Sequence, residues 1–202
     1  FTTNPSLAKA AGVTHYKEFA TAALRAAQGK PISFEVFADD LTEMERQARI
    51  IASWGDNVYV KIPCALTSGR STGLLVSKLG KHGIKVNVTA ICSFQQIAEL
   101  ARFIWGGTPA ILSIFCGRIA DTGRDPVPFI TKALQQKHDK TQVLWASTRE
   151  VFNVKQADMT GANIITMTPE LIKKLSLFGK DLTEYSLETI KMFHNDGKGW
   201  TL

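Results

Sequence analysis

Residues 58–91 read VYVKIPCALTSGRSTGLLVSKLGKHGIKVNVTAI, and this stretch decides the fold. A short β-branched run, Val58–Ile62, is followed by helical spacing over Ser71–His82, a stop at Gly83, and a second β-branched run, Val86–Ile91. Strand, helix and strand within about 30 residues is the signature of a βαβ unit with parallel strands. Gly83 suits the residue just past a helix C-terminus, where left-handed backbone is needed.

The same alternation runs outward in both directions. Further strand-like runs are Ile32–Ala38, Ala110–Phe115, Val143–Ala146 and Ile164–Met167, and Phe1–Thr3 reads as the tail of another. Helical spacing falls on Thr42–Trp54, Ser93–Trp105, Pro126–His138, Arg149–Thr160, Pro169–Leu177 and Leu182–His194. Asp40 or Thr42 is the cap of the first of these. Pro126 suits a first helical turn. The runs are largely apolar, as strands covered on both faces are. Seven units, counting the opening one, predict an α/β fold: a (β/α)8 TIM barrel that lacks its first β/α unit in this chain. A doubly wound open sheet is the alternative, but no G-x-G-x-x-G turn follows the first strand run and no P-loop is present. Residues 1–202 are expected to form a single β/α-barrel domain, with 181–202 a C-terminal helix and tail that packs on a neighbouring subunit.

Composition narrows the function classes. The 202 residues are 45% hydrophobic and 21% charged, ordinary for a globular chain. No apolar run approaches the roughly 20 residues of a membrane span, and the opening FTTNPS is neither a signal nor a transit peptide. The net charge of +6 favours small anionic partners. The basic residues are scattered and not interleaved with aromatics, so nucleic acid is not an expected partner. Three cysteines, Cys64, Cys92 and Cys116, are too few and too widely spaced for a disulfide framework or a zinc site. They are expected to be buried free thiols in a reducing cytoplasm. No metal is assigned, because no two of the four histidines have ligand spacing on one face.

In a parallel barrel the reactive groups lie at the carboxyl ends of the strands. The groups predicted there are Thr3 and Asn4, Glu35, Lys61, Asn87 and Thr89, the run Ser113 to Arg118, and Ser147 with Arg149. Polar side chains inside apolar strands need partners or a purpose, because burying them unpaired costs free energy. Lys61 in VYVKIP admits two readings. It either pairs with a carboxylate, or it is desolvated so that its amine becomes a nucleophile toward a carbonyl. Glu35 in ISFEVFA is either that pairing carboxylate or an acid/base group. Arg118, Ser147 and Arg149 suit an anion clamp, with donors added by the N-terminus of the helix after Ser147.

Six short motifs, in order, resemble the transaldolase family. They are TTNPS (Thr2–Ser6), SFEV (Ser33–Val36), VKIP (Val60–Pro63), NVT (Asn87–Thr89), S-x-F-x-G-R (Ser113–Arg118) and A-S-x-R (Ala146–Arg149). The chain is most similar to the small subfamily that includes fructose-6-phosphate aldolases. The resemblance implies that Lys61 forms a Schiff base with a ketose phosphate and that Glu35 and Thr89 hold a water for proton transfer. Asn4, Ser33, Asn87 and Ser113 would bind the donor, and Arg118, Ser147 and Arg149 its phosphate. It implies no cofactor beyond the covalent lysine, a cytoplasmic enzyme of pentose-phosphate-type carbohydrate metabolism, and a homo-oligomer, a pentamer or decamer. Phe115 stands where transaldolases carry phenylalanine and fructose-6-phosphate aldolases tyrosine. That favours transfer of a dihydroxyacetone unit over its release. The alternatives are such a lyase, or a sugar-phosphate binder with impaired catalysis. Three departures stand out. The family's acidic residue on its first strand has no counterpart, CALTSG is one residue longer than usual and lacks a Glu, and Ile114 replaces a usual proline.

Overall fold

The computed structural model describes residues 1–201. The chain divides into two compact units, Phe1–Met167 and one beginning at Thr168. In the first unit α1 (Pro5–Ala10) and α2 (Tyr16–Ala27) precede β1 (Ile32–Glu35). Strands and helices then alternate: α3 (Leu41–Ala52), β2 (Val58–Pro63), α4 (Gly73–Lys81), β3 (Val86–Ile91), α5 (Phe94–Phe103) and β4 (Ala110–Ile114). After these come α6 (Cys116–Ala120), α7 (Val127–Gln136), β5 (Thr141–Trp145), α8 (Asn153–Thr160) and β6 (Ile164–Ile165). The second unit holds α9 (Pro169–Lys174), a 3-10 turn at Leu175–Leu177, and α10 (Leu182–Asp196). Among the described residues no helix is long and apolar enough to cross a membrane.

All six strands are parallel, in the spatial order β1-β2-β3-β4-β5-β6. That unbroken order is the winding of a barrel wall; a doubly wound sheet reverses at a switch point. The expected closed barrel is not seen among the described residues. The opening run contributes one parallel bridge, Thr2 to Ser33, and β6 is only two residues long. β1 stops at Glu35 because the next free backbone donors turn to a side chain: Gln47 Oε1 accepts from Phe37 N at 2.8 Å and Ala38 N at 3.2 Å.

The strands alternate more strictly than the sequence suggests. Ile32, Phe34, Val58, Val60, Ile62, Val86, Val88, Leu112, Ile114, Val143 and Trp145 belong to one buried cluster shared with helix residues such as Ala48, Leu79, Ile97 and Ile130. The intervening positions face the other way. A small apolar cluster of Ile111, Leu144 and Ala146 lies there, with Tyr59, Phe115 and Ile164 packed on it. So do the polar residues predicted as reactive. The helices are capped as their ends require. Asp40 accepts from Thr42 N and Glu43 N, and Ser93 with Gln96 forms a capping box on α5.

Candidate active site

Lys61 lies near the carboxyl end of β2, in register with Glu35 on β1 and Asn87 on β3. It is only 6% exposed. Its Nζ donates to the backbone carbonyl of Thr3 at 2.9 Å and stands 3.6 Å from Glu35 Oε2. Burial lowers the lysine pKa, and the Glu35 carboxylate partly opposes that shift. Burial likewise raises the Glu35 pKa against the pull of Lys61. Each group is thus pushed toward neutrality and held back by the other, which is the condition for an amine nucleophile beside a proton carrier.

A chain of buried hydrogen bonds lies beside this pair. Asn87 Nδ2 donates to Ser33 Oγ at 3.0 Å, and Ser113 Oγ donates to Asn87 Oδ1 at 2.6 Å. Strands β1, β3 and β4 are thereby linked by side chains. Thr89, one turn of the pleat further along β3, is buried, and its Oγ1 has no protein partner. A buried hydroxyl without a partner is a place for a water or a substrate oxygen. The residue after it, Ala90, has φ +62°, and the β3–β4 register shifts between Val88 and Ile91. This irregularity sits where a re-aimed side chain is useful.

The arginines form a separate group. Gly117 brings them together: a Cβ added to it would lie 1.7 Å from the carbonyl oxygen of Ser147 and 3.0 Å from Arg149 Cγ. Only glycine lets α6 approach the end of β5 this closely. Ser147 is half-buried with φ +64°. Arg149 is exposed and pairs with Asp121, its Nε donating at 3.1 Å. Arg118 is exposed and lines a cavity of about 570 Å³ with Cys92, Phe94, Arg124 and Phe129. The helix expected from Arg149 begins only at Asn153, because Asn153 Oδ1 takes up the N–H groups of Arg149 and Glu150.

Other expectations fare unevenly. Asn4 caps α1, its Oδ1 accepting from Leu7 N at 2.8 Å. Phe115 packs on the inner apolar cluster rather than standing free. Cys64 and Cys116 are buried as expected, but Cys92 is exposed; it lies just past the end of β3, where the ladder has ended. Sequence reasoning missed Tyr16, whose hydroxyl accepts from Glu35 N at 3.1 Å. It also missed Asp121, and it named Thr3 at the end of the first run without the role of its carbonyl. No motif marks Tyr16 or Asp121, since each acts through a placement that only the fold defines.

A buried lysine, an adjacent carboxylate and a polar network gather at the ends of consecutive parallel strands, where α/β enzymes carry their sites. Comparison with known sequences carries this further. The Transaldolase/Fructose-6-phosphate aldolase family profile matches residues 1–201. A probable transaldolase of Dehalococcoides mccartyi is 34% identical over 178 residues, 86% of this chain and 78% of the relative. One of Herpetosiphon aurantiacus is 33% identical over 191 residues, 93% and 81%. One of Methanococcus maripaludis is 33% identical over 190 residues, 93% and 83%. The chain belongs to the Transaldolase/Fructose-6-phosphate aldolase family, and its function is transaldolase-like.

Proposed function

We propose that Lys61 is the Schiff-base lysine of a transaldolase that moves a dihydroxyacetone unit from a ketose phosphate to an aldehyde acceptor. The observation that carries this is the burial of Lys61 against Glu35 with its pKa held below the usual lysine value. The neutral amine attacks the ketone carbon, and loss of water gives an iminium. Removal of the proton from the C4 hydroxyl breaks the C3–C4 bond. Its electron pair moves into the iminium, leaving an enamine on Lys61 and releasing an aldehyde. The enamine adds to the acceptor aldehyde, and water then hydrolyses the new iminium and frees the lysine. The iminium is itself the electron sink, so these steps call on no metal or organic cofactor.

In this reading Glu35 and Thr89 hold the water that relays protons, and the free Thr89 hydroxyl supports that role. Asn4, Ser33, Asn87 and Ser113 bind donor hydroxyls. Arg118, Ser147 and Arg149 take the phosphate, with Arg149 leaving Asp121 to do so. Phe115 offers no phenol to protonate the enamine, which favours transfer over release. The six strands form the wall of a (β/α)8 barrel. Exposed Leu182, Ile190 and Phe193 on α10 suit a homo-oligomeric contact. The partner is a sugar phosphate rather than nucleic acid or a membrane, and the reaction is cytoplasmic.

Borohydride reduction in the presence of fructose 6-phosphate, followed by peptide mapping, tests the central claim. A reduced three-carbon or six-carbon adduct on Lys61 is expected. Labelling at another lysine, or none, sinks it. A donor-only assay tests the reaction type: rapid release of free dihydroxyacetone without an acceptor would replace transfer by aldol cleavage.

A further inference from the structure

Arg149, one of the three groups read as the phosphate clamp, already holds an anion of the chain's own. Its Nε donates to Asp121 Oδ1 at 3.1 Å, and its Nη2 donates to Asp121 Oδ2. This is the two-bond pairing that a guanidinium also makes with phosphate. The strand ends build it. A single residue, Phe115, separates β4 from α6. Gly117 in α6 donates its N–H to the carbonyl of Ala146 at 3.5 Å, and Arg149 Cγ lies against the same glycine. The arginine stem therefore runs across α6. One turn further on, Asp121 N donates to Gly117 O at 2.8 Å with its backbone still helical, and its carboxylate meets the guanidinium.

Asp121 also follows Arg118 by three residues, a spacing that puts two side chains on one face of a helix. Its carboxylate is thus bonded to one clamp arginine and set on the same helix face as the other. Hydrogen bonding to Arg149 holds the carboxyl below the usual range, so it is ionised at neutral pH. The Arg149 and Asp121 side chains are 48% and 51% exposed. Ion pairs this open to water are weak, and this one opens without disturbing the core. A phosphate dianion and a carboxylate crowded on one guanidinium repel each other, so phosphate binding and the Asp121 contact oppose one another.

We infer that Asp121 is an internal competitor for the substrate phosphate: it occupies Arg149 in the empty site, is displaced when a phosphorylated sugar binds, and so sets the affinity for phosphorylated substrates. This rests on the reading of Arg118, Ser147 and Arg149 as the phosphate clamp. Asp121 takes no part in the steps at Lys61. It weakens binding of every phosphorylated ligand alike, which raises KM and eases release of the phosphorylated product without altering the bond-making steps.

The test uses Asp121→Asn, which keeps the shape and removes the charge, together with Arg149→Gln and the double variant. A thermal melt of each checks that the fold is kept. Two readouts are taken on the full chain: calorimetric titration with inorganic phosphate, which needs no chemistry, and KM for fructose 6-phosphate beside KM for an unphosphorylated ketose. Asp121→Asn should bind phosphate about two- to fivefold more tightly, the range that an exposed ion pair supports. KM for the phosphorylated donor should fall by the same factor, with the unphosphorylated one unchanged. Arg149→Gln should weaken phosphate binding about tenfold or more, and adding Asp121→Asn to it should gain nothing, because the contested arginine is gone. Phosphate affinity in Asp121→Asn at or below the wild-type value overturns the proposal and makes Asp121 a support that aims Arg149. An undiminished gain in the Arg149→Gln background also overturns it, since the effect would then be general charge. If Arg149→Gln binds phosphate as wild type does, the clamp reading fails and the competitor falls with it. If no adduct forms on Lys61 while the titrations behave as expected, the Schiff-base reading fails and the assignment of Asp121 stands.

Discussion

The two faces of the sheet are one residue apart and serve opposite ends. On the helix side, Phe34, Val60, Ile62, Val88, Leu112 and Ile114 are fully buried in one apolar cluster. On the other side, the next positions along the same strands are Ser33, Glu35, Lys61, Asn87, Thr89 and Ser113. The first set is bought wholesale by the hydrophobic effect, at roughly 1.5–3 kcal/mol per large side chain. The second set consists of buried polar groups that stabilise only when paired. A slip of one residue in register would exchange the two faces. Strand pairing is thus what converts a folding pattern into a reactive one, and substitutions on the two faces should separate stability from chemistry.

The largest separation is expected at Lys61. Lys61→Met should abolish the trapped adduct while leaving a folded protein, measured by peptide mapping beside a thermal melt. Glu35→Gln comes next. Loss of a positioned acid/base group should lower turnover by about 10²–10⁴-fold. The same change should make Lys61 easier to label at neutral pH. The Glu35 charge is what raises the lysine pKa against burial, so removing it lowers that pKa further and enlarges the neutral fraction. Slower turnover with faster acetylation is the expected pair of results; slower acetylation would contradict the assigned electrostatics.

On the opposite face the effects exchange. Leu112→Ala should cost about 2–5 kcal/mol in denaturant unfolding, with adduct formation per folded molecule unchanged. Ser113→Ala, one residue along, should cost about 1–3 kcal/mol because Asn87 Oδ1 is left without its donor. It should also raise KM for the donor. Equal losses of stability with equal kinetics in the two variants would mean that the faces are not distinct.

How much of this was legible in the sequence follows the range of the interactions. Strand runs and their order were readable because β-branched residues and terminal glycines signal locally. Six of the predicted site residues, Ser33, Glu35, Lys61, Asn87, Thr89 and Ser113, were placed on one face because alternation carries them there. The helices α1 and α2 were not anticipated. Gly12 and His15 interrupt the spacing, and most of their residues are exposed. α6 is too short, at five residues, to show a period. Tyr16 was unreadable because its hydroxyl meets Glu35 only after α2 docks on β1. The role of Gly117 was equally hidden, since the atom it makes room for belongs to Ser147, thirty positions away in the chain by count. The spacing opens α8 four residues early, at Arg149 instead of Asn153, because an Asn153 side chain does what helical backbone was expected to do.

The smallest effect tests the boundary between the faces, at Ser147. Its φ of +64° places a side chain in left-handed backbone, which disfavours any residue but glycine by about 1–2 kcal/mol. Ser147→Gly should relieve that strain and stabilise the protein by about 1 kcal/mol, raising Tm by about 2–4 °C for a chain of this size. If the hydroxyl binds the substrate phosphate, the same change should raise KM for a phosphorylated donor and leave that for an unphosphorylated ketose unaltered. A more stable protein with weaker phosphate recognition would show that the strain is kept for the hydroxyl. A stabilised variant with unchanged KM for both donors would remove Ser147 from the clamp and leave Arg118 and Arg149 to carry it.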